Sequence, residues 1–171
     1  MKPVTLRYGL LFVGALALGV LIHFLYGWLP NPVTALLSPV RESIWEHLKV
    51  LFYPMLLLGL LPVGKQGRIP WLCSILLVCC FMLLGGWFYH VVLRGDSLIF
   101  DLIFYGVLMF LGFRLPRILW LLAEWPGVGA ACAILTVLLA ALMVVFTYAP
   151  PGGILFADLS GGVGTFLTIP V

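Results

Sequence analysis

The twelve residues SPVRESIWEHLK, Ser38 to Lys49, decide how this chain is read. They gather two carboxylates (Glu42 and Glu46), an imidazole (His47) and two cations (Arg41 and Lys49) in a chain that is 64% hydrophobic and only 9% charged. On a helix at about 100° per residue, Glu42, Ser43, Glu46 and His47 fall within an arc of roughly 140°, so all four are expected to face one partner surface. That surface is the candidate site.

Outward from it, almost everything reads as apolar helix. With 171 residues, 14% aromatics and a mean hydropathy of +1.22, the chain has too little polar surface to cover a soluble core. The composition implies a polytopic membrane protein whose first partner is the lipid bilayer. The net charge of +3 rests on nine cations that form no basic face, which excludes nucleic-acid binding. Cys73, Cys79, Cys80 and Cys132 lie inside apolar runs without CxxC spacing, so they read as small buried hydrophobes rather than disulfide or metal cysteines.

Upstream, Lys2 and Arg7 precede an apolar run over 8–29, long enough to cross a hydrocarbon core of about 30 Å. Ala15-Leu-Ala17 imitates a signal-peptide cleavage site, but the run continues past it to His23, Tyr26 and Trp28, beyond an h-region of about 7–15 residues. Pro30-Asn31-Pro32 ends this span, and Val33 to Leu37 is too short to cross. Ser38-Pro39 then reads as an N-cap with proline at the first helical position; alternatively Ser43 and Glu46 form an S-x-x-E capping box. In either case a second span over 43–63 is expected, kinked at Pro54.

Downstream, Gly64 to Arg68 is a basic turn, 69–93 a third span, and 98–115 a fourth that stops at Arg114-Leu-Pro116-Arg117. Gly85-Gly86 permits close helix contact in the third span. Arg117 to Trp125 reads as a short interfacial helix, 127–147 as the fifth span, and 148–171 as a glycine-rich C-terminal tail. The expected fold is thus a single all-α domain of five transmembrane helices. Lys2, Arg7, Lys65, Arg68, Arg114 and Arg117 fall on the N-terminal side, against Arg41, Lys49 and Arg94 on the other. This asymmetry places the N-terminus inside and the C-terminus outside.

With that topology, His23, Glu42, Glu46, His47, His90, Asp96, Asp101 and Asp158 all come to the outer end, and antiparallel packing lets them line one outward-facing pocket. Each has a plain structural reading as well: acids in a first helical turn meet the helix dipole, and boundary histidines pack through hydrogen bonds. Asp101, one turn inside the apolar region, needs a partner or a proton. As a site, Glu42, Glu46 and Asp101 are candidate catalytic groups, and His23, Glu46, His47 and His90 are candidate metal ligands. Ser43, Trp45, Lys49 and Asp158 are candidate substrate contacts. Imidazole nitrogen with carboxylate oxygen suits zinc, iron or manganese. Neither HExxH nor Gly-x-Ser-x-Gly occurs, so no zincin or serine-hydrolase motif supports an enzyme.

The run His23-Phe-Leu-Tyr26, the stretch Ser38 to Lys49, Phe146-Thr-Tyr-Ala-Pro-Pro151 and Leu155-Phe-Ala-Asp158 together resemble a family of small bacterial multi-pass membrane proteins of unknown function. That family's motif reads (N/R)-E-S-x-W-E-H-x-K, and Arg41 stands here where asparagine is common. The resemblance implies a bacterial cytoplasmic membrane and a single unit built from Glu42, Ser43, Trp45, Glu46, His47 and Lys49. Three function classes stay open. A metal-dependent membrane enzyme would act on a lipid or lipid-linked substrate, a non-catalytic subunit would need a membrane protein partner, and a small carrier would need polar groups reaching the inner side.

Overall fold

The computed structural model describes residues 2–61 and 67–160. Residues 62–66, which hold the end of the expected second span and most of the basic turn Gly64 to Arg68, and the tail beyond 160 lie outside the described residues. Among the described residues the chain is helical and contains no strand. Its elements are α1 (Lys2–Trp28), α2 (Pro32–Leu37), α3 (Leu48–Pro54), α4 (Arg68–Gly86), α5 (Leu98–Ile118) and α6 (Val128–Tyr148). Two helices continue as π-helical turns, α3 over Met55–Gly59 and α4 over Trp87–Val92, and a 3-10 helix over Leu119–Glu124 follows α5.

Among the described residues, four helical stretches are long and apolar enough to cross a membrane: Arg7–Trp28, Arg68–Val92, Leu98–Leu121 and Val128–Tyr148. The helix over Leu48–Gly59 is apolar but shorter. It is the most enclosed element, with Leu48, Leu51, Phe52 and Met55 fully buried. It packs on α1 and α4, while α4 packs on α5 and α6. A helix shorter than the four long ones is therefore the central one.

Three expectations about boundaries are corrected. Residues 38–47 are not helical, so the second helix begins at Leu48 rather than at 39 or 43. Ser38 does not start a helix but closes α2, its N–H donating to the Thr34 carbonyl at 2.9 Å. The third correction concerns α5, which does not stop at Arg114 to Arg117 but runs through Pro116 to Ile118.

The prolines explain how the helices pack. Pro116 has no N–H to give the Gly112 carbonyl one turn earlier. The Ser74 hydroxyl on α4 donates to that carbonyl instead, at 2.7 Å, so the break is repaired from the neighbouring helix. Pro54 likewise leaves the Val50 carbonyl without its helical donor, and Gly19 on α1 approaches this oxygen so closely that a Cβ has no room. Where α3 passes into its π-helical turn, the Trp71 indole donates to the Met55 carbonyl at 3.0 Å. That indole lies against Gly59, where any side chain would collide with the ring.

Candidate functional site

The motif does not present one helical face. Its backbone is diverted: the Ser43 amide donates to the Arg41 carbonyl at 2.8 Å and the Trp45 amide to Leu155 at 3.0 Å, while the Glu42 carbonyl accepts from Leu159 at 2.8 Å. These bonds tie the loop to the tail and divide the polar side chains between two places. Half of the expected capping box forms, since the Ser43 hydroxyl accepts from the Glu46 amide at 3.2 Å. The Glu46 side chain does not return the bond.

Glu46 instead turns inward. Its Oε2 accepts from Lys49 Nζ at 2.7 Å and from the Val40 amide at 3.0 Å, and Oε1 lies 3.5 Å from the Thr147 hydroxyl on α6. Lys49 Nζ also donates to the carbonyls of Ala35 at 2.8 Å and Ser38 at 3.0 Å. All three ammonium donors are thereby used. Glu46 is 2% and Lys49 0% exposed, so this network joins α2, the loop, α3 and α6 from within. Trp45 packs its ring on Phe146 and Phe156, with centroids 5.2 and 5.3 Å away. Ser43 is buried as well.

Glu42 and His47 turn the other way. His47 Nε2 lies 3.3 Å from Glu42 Oε2, and His23 Nε2 lies 4.0 Å from Oε1. One ligand atom from each of the three falls within 4.8 Å of the others. The His47 Nδ1 sits 2.7 Å from the Ser43 carbonyl. Because a carbonyl only accepts, Nδ1 carries the proton and Nε2 is the nitrogen turned toward Glu42. His23 Nδ1 is buried without a hydrogen-bond partner among the described residues.

A second pair completes the polar wall. His90, in the π-helical turn after α4, places Nε2 3.0 Å from Asp101 Oδ1 and Nδ1 3.0 Å from the Gly95 carbonyl. This supplies the partner that Asp101 was expected to need. Both groups line a cavity of about 360 Å³ together with His23, Glu42, His47 and Asp96. Gly86 permits the approach of Ile44, whose methyl lies against the position a Cβ would take.

The cavity has a floor and a partial roof. At the floor the Tyr105 hydroxyl donates to the Leu16 carbonyl at 3.0 Å and fills the space beside Gly19. At the roof stand Leu159 and Ser160 of the tail. Asp158 faces an adjoining groove with Arg41 and Tyr26, which shares His23, Phe24 and Glu42 with the cavity, and it caps the tail by accepting from the Ser160 amide at 2.9 Å.

Electrostatics follow from these contacts. The hydrogen bond from His47 holds the Glu42 carboxyl below its ordinary range. Burial works against a charge on His47, but the Glu42 bond, the Ser43 carbonyl and the nearby negative charges outweigh it and raise its pKa. Hydrogen bonds from Ser160 hold Asp158 low.

The structure thus brings together His23, Glu42, His47, His90 and Asp101 and sets Ser43, Trp45, Glu46 and Lys49 apart from them. The Gly95 and Ser43 carbonyls, Leu159 and Tyr105 were not anticipated from the sequence. Backbone carbonyls and apolar floor residues carry no compositional signal.

No curated protein and no solved structure matches this chain. Residues 9–165 match the Family of unknown function (DUF6512), a span that takes in α1 from Gly9 onward, α2 to α6 and the residues lining the polar cavity, and the chain belongs to that family.

Proposed function

We propose that this is a five-span membrane protein, N-terminus inside, whose outward cavity binds a divalent transition-metal ion, zinc foremost, through His23, Glu42 and His47. The convergence of two imidazoles and a carboxylate, within 4.8 Å of one another, carries the reading. A tetrahedral zinc ion with bonds of about 2.0–2.1 Å holds its ligands roughly 3.4 Å apart. Glu42, half exposed at its side chain, can close that difference by rotation. The Ser43 carbonyl on His47 Nδ1 supports it as an outer-shell partner that orients a ligating ring.

In this reading His90 and Asp101 meet whatever binds beside the ion. Glu46, Lys49, Ser43 and Trp45 hold the loop that carries Glu42 and His47. The fifth crossing is built around the buried helix over Leu48–Gly59. A carrier is disfavoured because the core beyond Tyr105 is apolar, with Phe52, Ile75, Met109 and Phe113 buried in it.

Elemental analysis of protein purified in mild detergent without chelator tests the proposal, beside a His23→Ala, His47→Ala double variant that leaves the Glu46–Lys49 network intact. Near-stoichiometric zinc, iron or manganese in the parent, lost from a variant of unchanged elution volume, is expected. A metal-free parent that also fails to take up added zinc refutes the site and leaves the loop as a structural unit suited to a non-catalytic subunit. For topology, single cysteines at positions 66 and 161 are expected to be labelled from opposite sides.

A further inference from the structure

The cavity has one wall unlike the rest. Val20 and Phe24 on α1 face Leu98 and Leu102 on α5 around it, and Leu98 and Leu102 are 80% and 60% exposed. These residues stand on helices long and apolar enough to cross the bilayer, so their free surfaces meet acyl chains. The polar cluster therefore has an apolar entrance from the side, through hydrocarbon, besides the polar groove that Glu42 shares with Arg41 and Asp158. It is closed below by Gly19 and Tyr105 and partly covered above by Leu159, whose amide is bonded to the Glu42 carbonyl. Ile44 and Met82, 3% and 9% exposed, form its inner wall.

We propose that the cavity takes an acyl lipid from the adjoining leaflet, its chain entering sideways between α1 and α5 and its polar group reaching the His23–Glu42–His47 cluster. The inference rests on the membrane setting and the metal-site reading given above. The apolar entrance favours a chain-bearing molecule, because a water-soluble ligand would have to leave its solvation to pass Leu98 and Leu102. A partner helix is excluded by size, since a helix with its side chains is about 10–12 Å across and the cavity holds only about 360 Å³. Polar groups at the inner end of an apolar channel suit an amphiphile, with the few polar contacts fixing its orientation.

The test uses the full chain in nanodiscs of phosphatidylcholine that carries a diazirine midway along one acyl chain. Labelled residues are mapped by mass spectrometry after illumination. Labels on Ile44 and Met82 are expected, because lipid outside the protein cannot touch them. Val20→Trp, which fills the entrance, is expected to lower those labels about tenfold while leaving labels on the outer faces of Leu98 and Leu102. Leu102→Trp on the facing side serves as a second block, and elution volume and thermal midpoint verify that both variants fold. Labels confined to the outer faces, or interior labels undiminished in both variants, overturn the proposal. Metal is measured on the same samples: zinc without interior labels overturns lipid entry and leaves the metal site standing. Interior labels without zinc support the lipid site and count against the metal.

Discussion

Replacing Lys49 by methionine removes a fully buried cation while preserving much of its volume. In the parent, Nζ satisfies Glu46 at 2.7 Å, Ala35 at 2.8 Å and Ser38 at 3.0 Å. Methionine leaves two carbonyls without this donor and a carboxylate whose remaining contacts are the Val40 amide at 3.0 Å and the Thr147 hydroxyl at 3.5 Å. Breaking a buried pair by removing one member costs about 3–5 kcal/mol, because the other charge stays buried. For a chain of this size that corresponds to a fall of roughly 6–20 °C in thermal midpoint. The assay is tryptophan fluorescence during heating in mild detergent, since Trp45 and Trp71 are both buried.

Adding Glu46→Gln to Lys49→Met removes the uncompensated charge and is expected to recover part of the loss, giving a coupling of about 1–3 kcal/mol in the double-mutant cycle. Two additive losses, or a Lys49→Met variant as stable as the parent, would refute the assignment of this pair to the internal network. Lys49 would then have to act elsewhere.

Three further outcomes are expected. Ser74→Ala deprives the Gly112 carbonyl of its only substitute for the missing Pro116 amide among the described residues, and should cost about 1–3 kcal/mol in the same heating assay; no change would mean the carbonyl finds another donor. Trp45→Ala empties the contact with Phe146 and Phe156, costing about 3–5 kcal/mol and speeding protease cleavage within 149–160; an unchanged cleavage rate would show that the backbone bond from Trp45 to Leu155 holds the tail alone. Because Glu42 is held low and His47 high, their ion pair stabilises the metal-free chain between those two pKa values. It fades as acid protonates Glu42 or as rising pH strips His47, an effect of under about 1 kcal/mol at this half-exposed pair. Zinc affinity should instead rise with pH as His47, held above its ordinary imidazole range, loses its proton; affinity that does not change with pH would argue against His47 as a ligand.

The sequence by itself determined the membrane setting, the helical class and the end of the bundle where polarity collects. Long apolar runs admit few alternatives, because a backbone in hydrocarbon must satisfy its hydrogen bonds within a helix. His23, Glu42, His47, His90 and Asp101 could be placed at one end because helices of similar length and opposite direction bring those termini level. Gly85-Gly86 was legible as a close-contact pair for the same local reason.

What only the tertiary structure decided is which side chain turns which way. Helical periodicity put Glu42 and Glu46 on one face, but Trp45 and Glu42 take backbone partners from Leu155 and Leu159, more than a hundred residues later. Those bonds hold residues 38–47 out of a helix and send Glu46 inward to Lys49 and Glu42 outward to the histidines. The passage of α5 through Pro116 is equally non-local, because its lost hydrogen bond is replaced by Ser74 from α4. Propensity and spacing describe a segment's own backbone. Donors and acceptors supplied by distant segments overrule them wherever a buried polar group would otherwise stay unpaired.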